Sequence, residues 1–128
     1  MQLISPEKIF RGSGAWLKAL PYIKKISRRP LLLGRSLSTN HIRNQIYKDL
    51  HDENLYIHST KLKFDCCYED LKRIRSIILR NNCDSIIAIG GGKVLDAGKF
   101  LADSLSIPVI TIPLSASTCA GWTALSNI

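Results

Sequence analysis

A chain of 128 residues that is 45% hydrophobic and 22% charged has the length of one domain and enough apolar material for a real core. No apolar run approaches the roughly twenty residues that a helix needs to cross a bilayer, so a helical membrane protein is excluded and a soluble one expected. The net charge of +8 is uneven: residues 1 to 48 hold ten Lys or Arg against the single acid Glu7, and the remainder holds eight bases and nine acids.

In chain order, Lys8-Ile9-Phe10-Arg11 reads as a short edge strand closed by Gly12-Ser13-Gly14. A helix is predicted from near Ser13, with Trp16, Leu20, Ile23 and Ile26 on one face and a kink or break at Pro21. Leu31-Leu32-Leu33 is a buried strand that ends at the polar turn Gly34-Arg35-Ser36. Ser38-Thr39-Asn40 offers an N-cap to a helix whose inner face is Ile42, Ile46 and Leu50. Leu55-Tyr56-Ile57 is the next strand candidate. A third helix is predicted from about Cys67 to Asn82, with Leu71, Ile74, Ile78 and Leu79 inward and Lys72, Arg73 and Arg80 outward. Asp84 to Ile89 is a nearly continuous apolar segment, the pattern of a strand covered on both faces. A helix from Val94 to Leu105 and a strand from Pro108 to Ile112 follow.

Between the last strand–helix pair lies Gly90-Gly91-Gly92-Lys93. Three glycines allow positive φ and leave no Cβ in the way of a ligand. A helix start presents unpaired N–H groups and the positive end of the macrodipole, so strand, glycine turn and helix in that order make an anion site, usually for phosphate. Lys93 adds a full charge there. The dinucleotide fingerprint G-x-G-x-x-G fails because Leu95 takes its third glycine position, and Walker A fails at Ile87 and Val94.

The bases of the first half are scattered over several elements with no nucleic-acid motif, which favours a solvated basic surface over nucleic-acid binding. Pro6 and Glu7 fall early and no signal core or cleavage pattern is present, so residue 1 is read as part of the domain. Cys66, Cys67, Cys83 and Cys119 form no C-x-x-C pair, and reduced thiols in the cytoplasm are the expectation. His41, His51 and His58 are unclustered and are read as surface or capping residues rather than metal ligands.

Strands alternating with helices imply a doubly wound, mainly parallel α/β sheet with helices on both faces, which binds ligands beyond the carboxyl ends of its strands. Three loops meet that condition: Gly34 to Asn40, Gly90 to Lys93, and the small, hydroxyl-rich Pro113 to Thr123. The abrupt end at Ala124 to Ile128 reads as a truncated sheet.

The run Ile-Gly-Gly-Gly-Lys-x-x-Asp-x-x-Lys at 89 to 99, the strand Ile-Pro-Val-Ile at 107 to 110 and Pro-x-x-Ala-Ser-Thr-x-Ala at 113 to 120 resemble the glycerol dehydrogenase branch of the iron-containing alcohol dehydrogenase superfamily. Ser5-Pro6, Lys8 and Gly12-x-Gly14-Ala15 are similar to the start of that family. The resemblance implies that residues 1–128 are an incomplete, Rossmann-like NAD(P)-binding N-terminal domain, with the helical domain that holds the divalent metal (zinc or iron) absent. It implies an enzyme that moves a hydride between an alcohol or polyol carbon and the nicotinamide, and relatives that are homo-oligomeric at full length. A dehydroquinate synthase-like or glycerol-1-phosphate dehydrogenase-like member, or a non-catalytic nucleotide-binding remnant, are the alternatives.

By the same resemblance Gly91, Gly92 and Lys93 take the pyrophosphate, Asp96 matches an acidic residue in the first turn of the helix, and Ser117, Thr118, Thr123 and Leu125 line the cofactor site. Arg35 stands where NAD-preferring members commonly carry an aspartate; a guanidinium can bind a ribose 2′-phosphate that an aspartate would repel, which favours NADP over NAD. Cys119 takes the place of a substrate-proximal aspartate, and a thiol is a poor acceptor for polyol hydroxyls, so glycerol is a doubtful substrate. No catalytic residue and no metal ligand falls within the chain on this reading.

Overall fold

A computed structural model of the chain describes residues 2–3, 14–63 and 67–114. Its elements in order are β1 (Gln2–Leu3), α1 (Ala15–Ile26), β2 (Pro30–Gly34), a 3₁₀ turn (Leu37–Thr39), α2 (Asn40–Asp52), β3 (His58–Lys61), α3 (Tyr68–Arg80), β4 (Ser85–Gly90), α4 (Gly92–Leu105) and β5 (Val109–Pro113). The five strands form one sheet in the order β1-β5-β4-β2-β3. β5, β4, β2 and β3 run parallel, and β1 joins the edge antiparallel, with Gln2 opposite Thr111 and Leu3 opposite Ile110. The expected doubly wound α/β sheet is thus the one observed; the edge strand predicted at Lys8 to Arg11 lies outside the described residues.

The period-two alternation of the central strands builds two cores, one on each face. Leu32, Ile87, Ile89, Ile110 and Ile112 point to the face covered by α1 and α2, where they meet Trp16, Ala19, Ile23, Ile42, Ile46 and Leu50. Leu31, Leu33, Ile86, Ala88 and Val109 point to the other face and pack under Ile74 and Ile78 of α3 and Val94, Ala97 and Leu101 of α4. Burial on both faces is why these strands read as continuous apolar runs rather than as alternating ones.

One local expectation is narrowed and three are corrected. α1 continues from Ala15 to Ile26 with Pro21 inside it, as one helix rather than two. Its apolar face is buried against the sheet, and such packing outweighs one missing backbone hydrogen bond. The strand after α2 is His58–Lys61, not Leu55 to Ile57. Leu55 is buried in the core under α2, while Tyr56 is 71% exposed and donates its N–H to the Arg28 carbonyl at 2.9 Å. At the sheet edge β3 is half exposed, so its sequence is polar, while Leu55 and Ile57 before it pack into the core that α1 and α2 cover. On α3, Leu79 is 58% exposed, because it lies about 100° around the helix from Ile78. Arg73 turns inward: it pairs with buried Asp70 at 2.7 Å and donates to the Lys61 carbonyl at 2.6 Å, tying the start of α3 to the end of β3.

At the amino ends of the strands, Asp84 accepts the N–H groups of Arg28 at 2.9 Å and Arg29 at 3.1 Å, which fixes β4 beside β2. No helix among the described residues is long and apolar enough to cross a membrane.

Candidate functional site

Chain direction decides where this sheet can bind a ligand. β2 leads through α2 to β3 on one side, whereas β4 leads through α4 to β5 on the other, and α2 and α4 cover opposite faces. Adjacent β2 and β4 therefore form the point where the winding reverses, and the crevice beyond their carboxyl ends is the place such sheets use for ligands. A cavity of about 220 Å³ lies there, lined by Arg35, Ser36 and Thr39 after β2 and by Gly90 to Val94 after β4. A larger cavity of about 460 Å³, lined by Arg29, Tyr47, His51, Tyr56 and His58 among others, lies at the amino ends of the strands. Topology favours the smaller one.

The glycine turn is built for close approach. Gly90 has φ of 147°, a conformation that side chains rarely tolerate, and this lets the chain leave β4 and enter α4 at once. Gly91 caps α4 and Gly92 opens it; a Cβ on either would meet no atom of the described residues within 4 Å, so among them this backbone is open to a ligand rather than packed. Leu95 donates its N–H to the Gly91 carbonyl at 3.1 Å, which starts the helical ladder and leaves the preceding N–H groups for an anion. The helix start carries about half a positive charge. Lys93 is exposed beside it and Arg35 is half-buried opposite. Among the described residues the crevice is lined by two cations and no carboxylate, and the first turns of α2 and α4 hold no acid. Its volume is below the roughly 300–1,000 Å³ of pockets that enclose whole drug-sized ligands, so the described walls suit the phosphate-bearing part of a nucleotide.

The structure thus brings together Arg35, Gly91, Gly92 and Lys93. Asp96 is the fifth residue of α4 rather than part of its first turn; it is exposed and does not line the crevice. Ser117, Thr118, Cys119, Thr123 and Leu125 lie outside the described residues.

Two residues that shape the site were not singled out from the sequence. A Cβ at Gly98 would stand 2.7 Å from the Ala88 Cβ, so this glycine sets how closely α4 lies on β4. It performs the packing role of the fingerprint's third glycine, six residues after Gly92 instead of three, which is why the fixed spacing missed it. The other is Arg43, buried at 3% exposure beneath the turn after β2; a lone arginine next to Ile42 on the apolar stripe of α2 was its only signal.

The profile of the iron-containing alcohol dehydrogenases matches residues 6–128. The chain belongs to that family. An uncharacterized oxidoreductase of Synechocystis is 32% identical over 125 residues, covering 98% of this chain and 32% of that protein. A glycerol dehydrogenase of Escherichia coli is 32% identical over 124 residues, covering 97% of this chain and 34% of its own length. Among solved structures, the glycerol dehydrogenase of Schizosaccharomyces pombe superposes with a TM-score of 0.71 at 24% identity, over 80% of this chain and 26% of that one. An iron-containing alcohol dehydrogenase gives 0.74 at 18% identity, over 84% and 36%. The chain spans about a third of the length of these curated relatives.

The family description names iron. Among the described residues no group of three or more His, Cys, Asp or Glu could hold a metal ion, so no metal chemistry is assigned to them. A dinucleotide fits better: an open glycine backbone at a helix start between two cations suits a pyrophosphate, the one group that all nicotinamide dinucleotides share.

Proposed function

We propose that residues 1–128 are the NAD(P)-binding region of an alcohol or polyol dehydrogenase. The observation that carries this reading is the shared crevice at the reversal point of the sheet, where the glycine turn opening α4 faces the Arg35 turn. Gly91, Gly92 and Lys93 would hold the pyrophosphate through backbone N–H groups and one ammonium, and Ser117, Thr118, Thr123 and Leu125 would complete the cofactor site. When bound, the nicotinamide would supply the hydride acceptor for the alcohol carbon.

Arg35 directs the choice between the two nicotinamide dinucleotides toward NADP. Its guanidinium offers a planar fork of donors to a ribose 2′-phosphate, and no described residue lining the crevice is acidic. Cys119, with a weakly hydrogen-bonding thiol, argues for a substrate less dependent on polyol recognition than glycerol.

Calorimetric titration of the chain with NADPH and NADH tests both parts. Arg35→Asp should weaken NADPH by about 10- to 150-fold, the worth of one charge-assisted hydrogen bond, and leave NADH within about threefold. Gly92→Val combined with Lys93→Ala should abolish both. NADH binding as tight as NADPH and unmoved by Arg35→Asp would refute the specificity, and full binding by the double variant would refute the site.

A further inference from the structure

Beneath the turn that carries Arg35 lies a charge with no opposite charge beside it. Arg43, in the first turn of α2, is only 3% exposed and makes no ion pair with any described residue. Burial pulls its pKa below the ordinary arginine value, the direction expected of a cation removed from water without a carboxylate. Its guanidinium is satisfied instead by acceptors of one short turn. One terminal nitrogen donates to the Thr39 hydroxyl; the other donates to the Ser36 carbonyl at 2.8 Å and to Asn40 Oδ1 at 3.3 Å. The Thr39 hydroxyl in turn donates to the Ser36 carbonyl at 3.0 Å, so Ser36, Thr39 and Asn40 are held around one cation.

The end of β2 is cut to admit this group. A Cβ at Gly34 would collide with Arg43 Cδ and both neighbouring guanidinium nitrogens. Ser36 and Thr39, which Arg43 holds, also line the crevice, whereas Arg43 itself does not. A buried cation costs desolvation energy that a neutral side chain would avoid, so its presence behind an anion site calls for a local return.

We propose that Arg43 is the positioning residue for nucleotide selection: it clamps the 36–40 turn from behind, holding the backbone from which Arg35 and Ser36 reach the crevice, and adds a fixed positive charge on the side of the ribose phosphate. The proposal rests on the dinucleotide reading of the crevice and deepens it. Because the charge is buried, salt screens it less than it screens Arg35.

The test uses adenosine 2′,5′-bisphosphate and 5′-AMP as probes, titrated into the chain and its Arg43→Met and Arg43→Lys variants. Arg43→Met should weaken the bisphosphate by about tenfold or more and 5′-AMP by less than about threefold, since only the 2′-phosphate end depends on the turn. Arg43→Lys keeps a charge but not the planar fork that reaches three acceptors, and should stay nearer to the Met variant than to the parent. Equal losses for both probes would mark a purely structural residue and overturn the proposal, as would a Lys variant indistinguishable from the parent. If Arg43→Met does not fold, the Lys comparison decides.

A second measurement judges the clamp without any ligand. Gly34→Ala should lower the urea midpoint in the parent and be tolerated in an Arg43→Ala background, where the Cδ and guanidinium atoms that the new Cβ would meet are gone. Equal loss in both backgrounds would show that the guanidinium is not behind Gly34 and sink the clamp. If the parent binds neither probe, the dinucleotide reading fails and the selectivity claim with it, whereas the Gly34–Arg43 cycle still decides the clamp.

Discussion

Replacing Gly98 by alanine places one methyl between α4 and β4, and the outcome can be worked from distances. The new Cβ would stand 2.7 Å from the Ala88 Cβ, with Ile86 Cγ2 at 3.7 Å and Val109 Cγ2 at 3.8 Å. Carbon atoms pack at about 3.5–4.0 Å, so the helix must lift from the strand by about 1 Å. Overpacking on this scale costs about 1–3 kcal/mol, and the better helix propensity of alanine offsets about 1 kcal/mol of it. The net loss, about 0–2 kcal/mol, is a weak test by itself. Combining it with Ala88→Gly removes the opposing methyl and leaves the propensity change at 98 untouched. Urea unfolding of the four chains should therefore give a coupling of about 1–3 kcal/mol, with the double variant more stable than the single losses predict. Because Gly91 and Gly92 ride on the start of α4, dinucleotide affinity should fall in Gly98→Ala and recover in the double variant. A coupling below about 0.5 kcal/mol, the range in which independent sites add, would refute the close-packing argument.

Two further outcomes are expected. Asp70→Ala removes a carboxylate that is 1% exposed, holds Arg73 through two contacts at 2.9 and 2.7 Å, and accepts the Lys63 N–H at 2.6 Å. Arg73 is part exposed and can rehydrate, so urea unfolding should show a loss toward the low end of the about 3–5 kcal/mol seen for buried pairs; a loss below about 1 kcal/mol would count against the tie between β3 and α3. Burial pushes the Cys83 thiol above its ordinary pKa, with Arg29 opposing and Asp84 adding to the shift. Less of it is thiolate at any given pH in the fold than in the unfolded chain, so iodoacetamide at pH 8 should label Cys83 slowly in buffer and rapidly in urea. Equal rates in both would contradict that burial.

What could be read before folding was whatever depends on neighbours in the chain. Leu31 to Leu33 and Ile86 to Ile89 are apolar without interruption because both their faces are covered, and that pattern suffices to place them in the middle of a sheet. Gly90 to Lys93 announce an anion site because the strand, the turn and the helix start that form it are contiguous. Polar His58 to Lys61 carry a weaker strand signal than Leu55 to Ile57, since an edge strand lacks the burial that would mark it.

The sequence by itself determined the strand–helix alternation, the glycine turn and the residue types beside it. Tertiary structure alone decided that β4 inserts between β5 and β2, which makes the ends of β2 and β4 the reversal point and sets Arg35 across from Lys93. It also decided that Gly98 is spacing rather than flexibility, and that Arg43 is a buried clamp rather than one more surface base. The physical reason is the same in each case. Strand order and the distance between a helix and a sheet come from contacts between segments far apart in the chain, and no local pattern of residue types encodes which segments will meet.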